Sequence, residues 1–105
     1  MQQGDSMNIT SREEGGKTLI ALEGRLDTNT SPQLEEFMGT QFDAGKKDFE
    51  VDMAACDFVS SAGLRVIVAM QKRVVNNGSL LFRNVQPEVM DVFEMTGFSK
   101  ILTFA

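Results

Sequence analysis

The sequence predicts an α/β domain built on a mainly parallel sheet with one antiparallel strand, in the element order β-β-α-β-α-β-α-β. Three observations lead there. Two β-type runs, Met7 to Glu14 and Lys17 to Glu23, are separated only by Gly15-Gly16, a pair able to take the positive φ angles of a tight hairpin. Each later β-type run is reached through a stretch of helical periodicity, and such crossovers join parallel strands by right-handed connections. The chain has 105 residues, 42% hydrophobic and 24% charged, enough for one core but not for two.

No repeat, low-complexity tract or linker interrupts the pattern. Residues 7–105 are therefore expected to form a single domain, behind a polar, patternless leader over residues 1–6, with Met7 a candidate natural start. Ser31-Pro32 reads as an N-cap followed by proline at the first helical position. Leu34, Phe37, Met38 and Phe42 then recur on one helical face, and Gly45 ends the helix. Phe49, Val51 and Met53 alternate with Glu50 and Asp52, the period-two pattern of a strand with one buried face. From Ser61 to Asn77, apolar residues Leu64, Val66, Ile67, Val68, Met70, Val74 and Val75 cover an arc of about 200° on a helical wheel. They leave a solvated basic stripe of Arg65, Lys72 and Arg73 beside Asn76. Asn77-Gly78 closes that helix and Ser79 to Phe82 forms the next strand. Pro87 opens a third helix with Glu88 and Asp91 near its positive end, Gly97 stops it, and Ile101 to Phe104 is the last strand.

Composition narrows the chemistry. There is no His, Trp or Tyr and only one Cys, so histidine-based nucleophile pairs, histidine zinc sites, disulfides and Cys₄ metal knots are all excluded. No catalytic residue, metal ligand set or cofactor site is expected. Cys56, in Ala54-Ala55-Cys56, reads as an inert packed thiol. Asp52 and Asp57 do not make a phosphoacceptor receiver, because the first strand ends in a hairpin where such a domain needs an acidic pair. The formal charge of −5 argues against direct nucleic-acid binding. Its two halves differ: residues 1–59 hold 12 acids and 5 bases, and residues 60–105 hold 3 acids and 5 bases. No signal peptide or membrane-length apolar run is present, which makes the cytoplasm the expected location and excludes membrane insertion by a helix.

What remains is the strand-to-helix junction Phe58-Val59-Ser60-Ser61-Ala62-Gly63-Leu64-Arg65, with two adjacent hydroxyls. Serine is among the best helix N-caps, so capping alone accounts for one of them. Unpaired N–H groups and the helix dipole also favour negative charge there, so a phosphate on Ser60 or Ser61 would be tolerated.

Ser60-Ser61-Ala62-Gly63-Leu64-Arg65-Val66-Ile67, preceded by Phe58-Val59, resembles the signature of STAS domains, specifically the bacterial anti-sigma-factor antagonists. Gly24-Arg25-Leu26-Asp27 resembles the family's Gly-x-Leu-Asp, and Met95-Thr96-Gly97-Phe98 with Ile101 and Phe104 resembles its closing helix and strand. The similarity runs over nearly the whole chain from Met7. It implies a non-enzymatic binding module that holds an anti-sigma factor, itself a serine kinase, when unphosphorylated. Phosphorylation of one serine breaks that complex and a serine phosphatase restores it. The matching serine is Ser61, two places before the glycine, with Ser60 second. The implied partner surface comprises Asp27, Asp57, Phe58, Ser60, Ser61, Gly63 and Leu64.

Two departures stand out. Many members carry Asp immediately before the phosphoacceptor, where this chain has Ser60. The chain also reaches Ala105 directly after the last strand, where the family has a further helix, so part of the sheet is expected to be exposed and prone to self-association. An alternative function within the same family is a scaffold or accessory subunit of a lipid-transport or stress-sensing assembly, in which the serines only cap the helix. A small hydrolase is disfavoured because no base-activated nucleophile can be named.

Overall fold

The computed structural model describes residues 7–105, so the proposed leader over residues 1–6 lies outside the described residues. Five strands form one sheet in sequential order: β1 (Asn8–Glu14), β2 (Lys17–Leu26), β3 (Asp48–Val59), β4 (Ser79–Arg83) and β5 (Thr103–Phe104). β1 runs antiparallel to β2 across the Gly15-Gly16 turn, where φ is +60° and +85°, and every other pairing is parallel. Three helices, α1 (Ser31–Asp43), α2 (Ser61–Val74) and α3 (Pro87–Met95), make the crossovers. Right-handed crossovers that always step in the same direction must lay their helices on the same side of the sheet.

Side-chain burial follows from that constraint. Ile20, Leu22 and Leu26 of β2, Phe49, Val51 and Met53 of β3, and Leu80 and Phe82 of β4 face the helices and are buried. Against them pack Leu34 and Met38 of α1, Leu64, Ile67, Met70 and Val74 of α2, and Val89 and Phe93 of α3. Phe93 also meets Phe82 and Phe104, with ring centroids 6.3 and 5.8 Å away. The opposite face is open but not apolar. Glu50 there receives Lys17 at 2.8 Å and Arg83 at 3.6 Å, which holds its carboxyl below the usual range.

β3 departs from simple alternation. Its register with β2 slips twice, between Asp52 and Ala55 and again between Cys56 and Phe58, so β3 carries two bulges. The strand therefore continues past the alternating stretch to Val59, with Cys56 and Val59 buried and Asp57 and Phe58 both exposed.

Several boundaries differ from the sequence reading. Thr30, not Ser31, is the N-cap of α1; Ser31 is already helical and buried, because its N–H and hydroxyl both bond the Asp27 carbonyl. β5 is only Thr103–Phe104, since Phe98–Lys100 winds into a 3₁₀ turn in which the N–H groups of Ile101 and Leu102 donate to the Phe98 carbonyl. The basic stripe of α2 is exposed along its length but divided: Arg73 lies over the Phe42 ring of α1, 4.4 Å from its centroid, and Arg65 and Lys72 stack on no ring among the described residues.

Gly78 is required for a close approach and not for turn geometry. A Cβ there would lie 2.0 Å from the Lys47 carbonyl oxygen, the same oxygen that accepts the Ser79 N–H at 2.9 Å. Gly78→Ala is expected to destabilise the fold by about 1 to 3 kcal/mol through overpacking, with exposed Asn77→Ala within about 0.5 kcal/mol of wild type. Urea denaturation of the two variants checks this.

Candidate functional site

Two segments meet at the carboxyl end of β2 and β3: the β3–α2 junction and the β2–α1 turn. The Ser60 N–H donates to the Leu26 carbonyl at 2.8 Å, and Val59 is the register partner of Leu26, so β2 and β3 remain joined up to the point where α2 begins. Gly63, in the first turn of α2, sits directly on Leu26. A Cβ at Gly63 would fall 2.7 Å from Leu26 Cγ and 2.9 Å from its carbonyl oxygen, so only glycine lets the helix start this close to β2.

The two serines have different jobs. Ser60 has an extended backbone and is the N-cap; its hydroxyl oxygen accepts the Gly63 N–H at 3.2 Å. Ser61 is the first residue of α2, exposed, and its hydroxyl makes no hydrogen bond with any described residue. A spare hydroxyl thus stands at the helix end where unpaired N–H groups favour an anion.

Asp27 organises the turn beside it. Its Oδ1 accepts the N–H groups of Asn29 at 2.9 Å and Thr30 at 3.1 Å, and Asp27 N–H donates to Thr30 Oγ1 at 2.9 Å. Thr30 is buried, and its hydroxyl donates to the Arg25 carbonyl at 2.6 Å. Burial pushes the Asp27 carboxyl up, but the bonds from Thr30 and Asn29, with Arg25 3.9 Å from Oδ2, outweigh it and hold the group below the usual aspartate range. Its side chain keeps 22% exposure.

The remaining candidates separate by exposure. Asp57 and Phe58 are presented to solvent by the second bulge of β3, and the Arg25 guanidinium lies 4.1 Å above the Phe58 ring. Gly63 and Leu64 point inward, so they shape the junction and do not form its outer surface. Cys56 is fully buried, and burial pushes its thiol up, away from thiolate chemistry. Among the described residues no cluster of acidic or cysteine side chains is placed to hold a metal, and no helix is long and apolar enough to cross a membrane.

Reading the residues alone missed four residues that the structure brings to this region. Thr30 has a local signal, an acid followed three residues later by a hydroxyl, that marks an Asx-type turn. Arg25 has none, since its place over Phe58 depends on a pairing between residues 33 apart in sequence. Phe98, with Thr96, closes a groove beside Ser61 whose other wall is Leu64, Arg65, Val68 and Lys72; that meeting of α2 with the turn after α3 is purely tertiary.

Ser60→Ala is expected to cost about 1 kcal/mol, as loss of an N-cap does, and Ser61→Ala no more than about 0.5 kcal/mol. Thermal melts of the pair decide between the two hydroxyls. Asp27, with its lowered folded-state pKa, contributes stability that is fully present above the unfolded aspartate value of about 3.9 and is lost as pH falls through the folded value. Asp27→Asn should therefore melt lower at neutral pH and lose less than wild type between about pH 5 and 2, as followed by circular dichroism.

Comparison with known proteins places this geometry. The family model described as STAS domain matches residues 8–105. BtrV of Bordetella bronchiseptica, whose name assigns it provisionally to the anti-sigma factor antagonists, is 36% identical over 101 residues, covering 94% of this chain and 86% of its own. An anti-sigma factor antagonist from Mycobacterium paratuberculosis superimposes with a TM-score of 0.84 at 21% identity, covering 99% of this chain and 89% of that one. SpoIIAA, a Bacillus cell fate determinant solved in its phosphorylated form, does so at 0.70 and 18% identity, covering 93% and 91%. These two likenesses bear on the fold, a mixed five-stranded sheet with a single antiparallel pair and three helices. With nearly its whole length matched by the family model, the chain belongs to the STAS domain family.

Proposed function

We propose that this protein is an anti-sigma factor antagonist that works as a phosphorylation-controlled switch. Unmodified, it holds an anti-sigma factor with serine-kinase activity; phosphorylated on Ser61, it lets go, and a serine phosphatase resets it. The observation that carries this reading is the division between the two serines. Ser60 Oγ is occupied by Gly63 N–H, whereas the Ser61 hydroxyl is exposed and uncommitted at a helix N-terminus. The name of BtrV and the phosphorylated form of SpoIIAA point the same way.

The reading is one of binding and release, with no catalytic step by this chain. Phe58 and Asp57 form the outer rim of the contact surface, with the free side of Asp27 next to Arg25. Gly63 and Leu64 serve by holding α2 against Leu26 so that Ser61 stands at the edge of that rim.

A phosphate adds roughly −1.5 to −2 charges, and the helix N-terminus favours such charge by about 0.3 to 1 kcal/mol, so the domain stays folded. A partner surface fitted to a neutral hydroxyl has no such compensation. Burying an unpaired dianion there costs several kcal/mol, and each 1.4 kcal/mol is tenfold in affinity, so release by about 100-fold or more is expected.

The test is to isolate the complex from native cells and map phosphate by intact mass and peptide sequencing. Phosphate is expected on wild type and Ser60→Ala but absent from Ser61→Ala, with the phosphoprotein melting as a folded domain. Phosphate confined to Ser60, or equal partner affinity before and after phosphorylation, would overturn the reading. Asp27→Ala is expected to weaken partner binding more than Glu50→Ala, which alters the open sheet face; calorimetric titration of the purified pair measures this.

A further inference from the structure

The groove beside Ser61 has a chemistry of its own. Val68, Ala69 and the nearly buried Leu64 line it from α2, Thr96 and Phe98 from the other side, and its volume is about 550 Å³. It is mainly apolar, and among the described residues no carboxylate lines it and its only charged residues are Arg65 and Lys72. Both are exposed and neither forms an ion pair with a described residue. Most other cations are engaged: Lys17 and Arg83 with Glu50, Lys46 with Glu13, Arg25 with Asp27 and Phe58, and Arg73 over Phe42. The hollow on the open sheet face is the opposite case, since Glu14, Glu50 and Asp52 line it together with Arg12 and Arg83. In a chain of net charge −5, the apolar groove is thus singled out as locally positive.

We infer that this groove receives an acidic amphipathic helix from the protein partner. The inference deepens the switch reading above and rests on it for the partner's identity and for the role of Ser61. From Ser61 to Lys72 the groove follows α2 for about 16 Å, three helical turns, and the positions of Arg65 and Lys72 are about 10 Å apart along the axis, two turns. A helix lying alongside would set apolar side chains at i, i+3, i+4 and i+7 on the floor and carboxylates seven residues apart against the two cations. An extended segment alternates faces, so its same-face carboxylates fall about 7 or about 13 Å apart, and neither spacing matches the two cations.

This placement explains how one phosphate reaches the whole contact. Ser61 and Arg65 are four residues apart on α2 and so face the same side. A phosphate on Ser61 is within range to pair with Arg65, which takes away one of the two charges that attract the partner helix and puts a dianion at the groove mouth. Release is then charge reversal of the groove as well as obstruction.

The probe is a synthetic 14-residue helical peptide with a leucine stripe and two glutamates seven residues apart, titrated into the ¹⁵N-labelled full chain. Controls are the same peptide with lysine for glutamate and a polyglutamate of equal length. Amide shifts are expected at Ser61, Arg65, Val68, Lys72, Thr96 and Phe98. Affinity should fall at least tenfold for each control peptide and for the Arg65→Glu/Lys72→Glu double variant, and at least threefold for Ser61→Glu. Both basic positions are exposed, so an unchanged melting temperature certifies the double variant. Equal binding of the controls, or shifts centred on the open sheet face, would overturn the inference. Pull-down of the native partner separates the two levels: a double variant that still captures it and is still phosphorylated on Ser61 sinks the groove and leaves the switch standing. Groove binding of the peptide with no phosphate ever found on Ser61 sinks the switch and leaves the groove.

Discussion

Everything at the carboxyl end of β2 and β3 hangs on the contact between Leu26 and the first turn of α2. Leu26 is fully buried, its carbonyl takes the Ser60 N–H, and its side chain lies where a Cβ on Gly63 would be. The last residue of β2 is thereby held against the first residues of a helix that begins more than thirty positions later. The Asp27 turn leaves from the same residue, so the turn and the helix start are set by one packing contact. Neither loop has to be rigid by itself.

The two bulges of β3 supply what that contact alone cannot. Without them, strict alternation from Met53 would carry the strand to the junction with a different set of residues inward. The first extra residue re-phases the strand so that Cys56 enters the core, and the second restores the phase so that Val59 faces inward again while Asp57 and Phe58 come out together. Arg25 then covers the Phe58 ring, limiting the exposure of an aromatic that the bulge has pushed to the surface. Bulges beside a site re-aim side chains in this manner.

Hydroxyl groups near the junction are sorted by occupancy. Those of Thr30, Ser31 and Ser60 all bond the backbone and close the turns, while the Ser61 hydroxyl takes no such part. The spare one is therefore the one whose chemistry can change without loosening the scaffold. The groove that starts at Ser61 continues this separation, because its basic side chains, Arg65 and Lys72, are not committed to the fold's own ion pairs.

The sequence carries legible signals for the element order, the hairpin, the helix starts near Pro32 and Pro87, and the strand-to-helix junction at Ser60-Ser61. Those signals arise among residues a few positions apart, where turn preferences, capping and periodicity act. It left the cap of α1 one residue out, because Asp27 recruits both Thr30 and Ser31 and two adjacent hydroxyls satisfy the same local pattern. For α2 the same ambiguity stood between Ser60 and Ser61, and the backbone conformation resolved it. The bulges of β3, Arg25 over Phe58, Arg73 over Phe42, and the groove between α2 and Phe98 have no such local signal. Each depends on which distant segments pair and in what register, a quantity set by the packing of the whole core and not by any short stretch of chain.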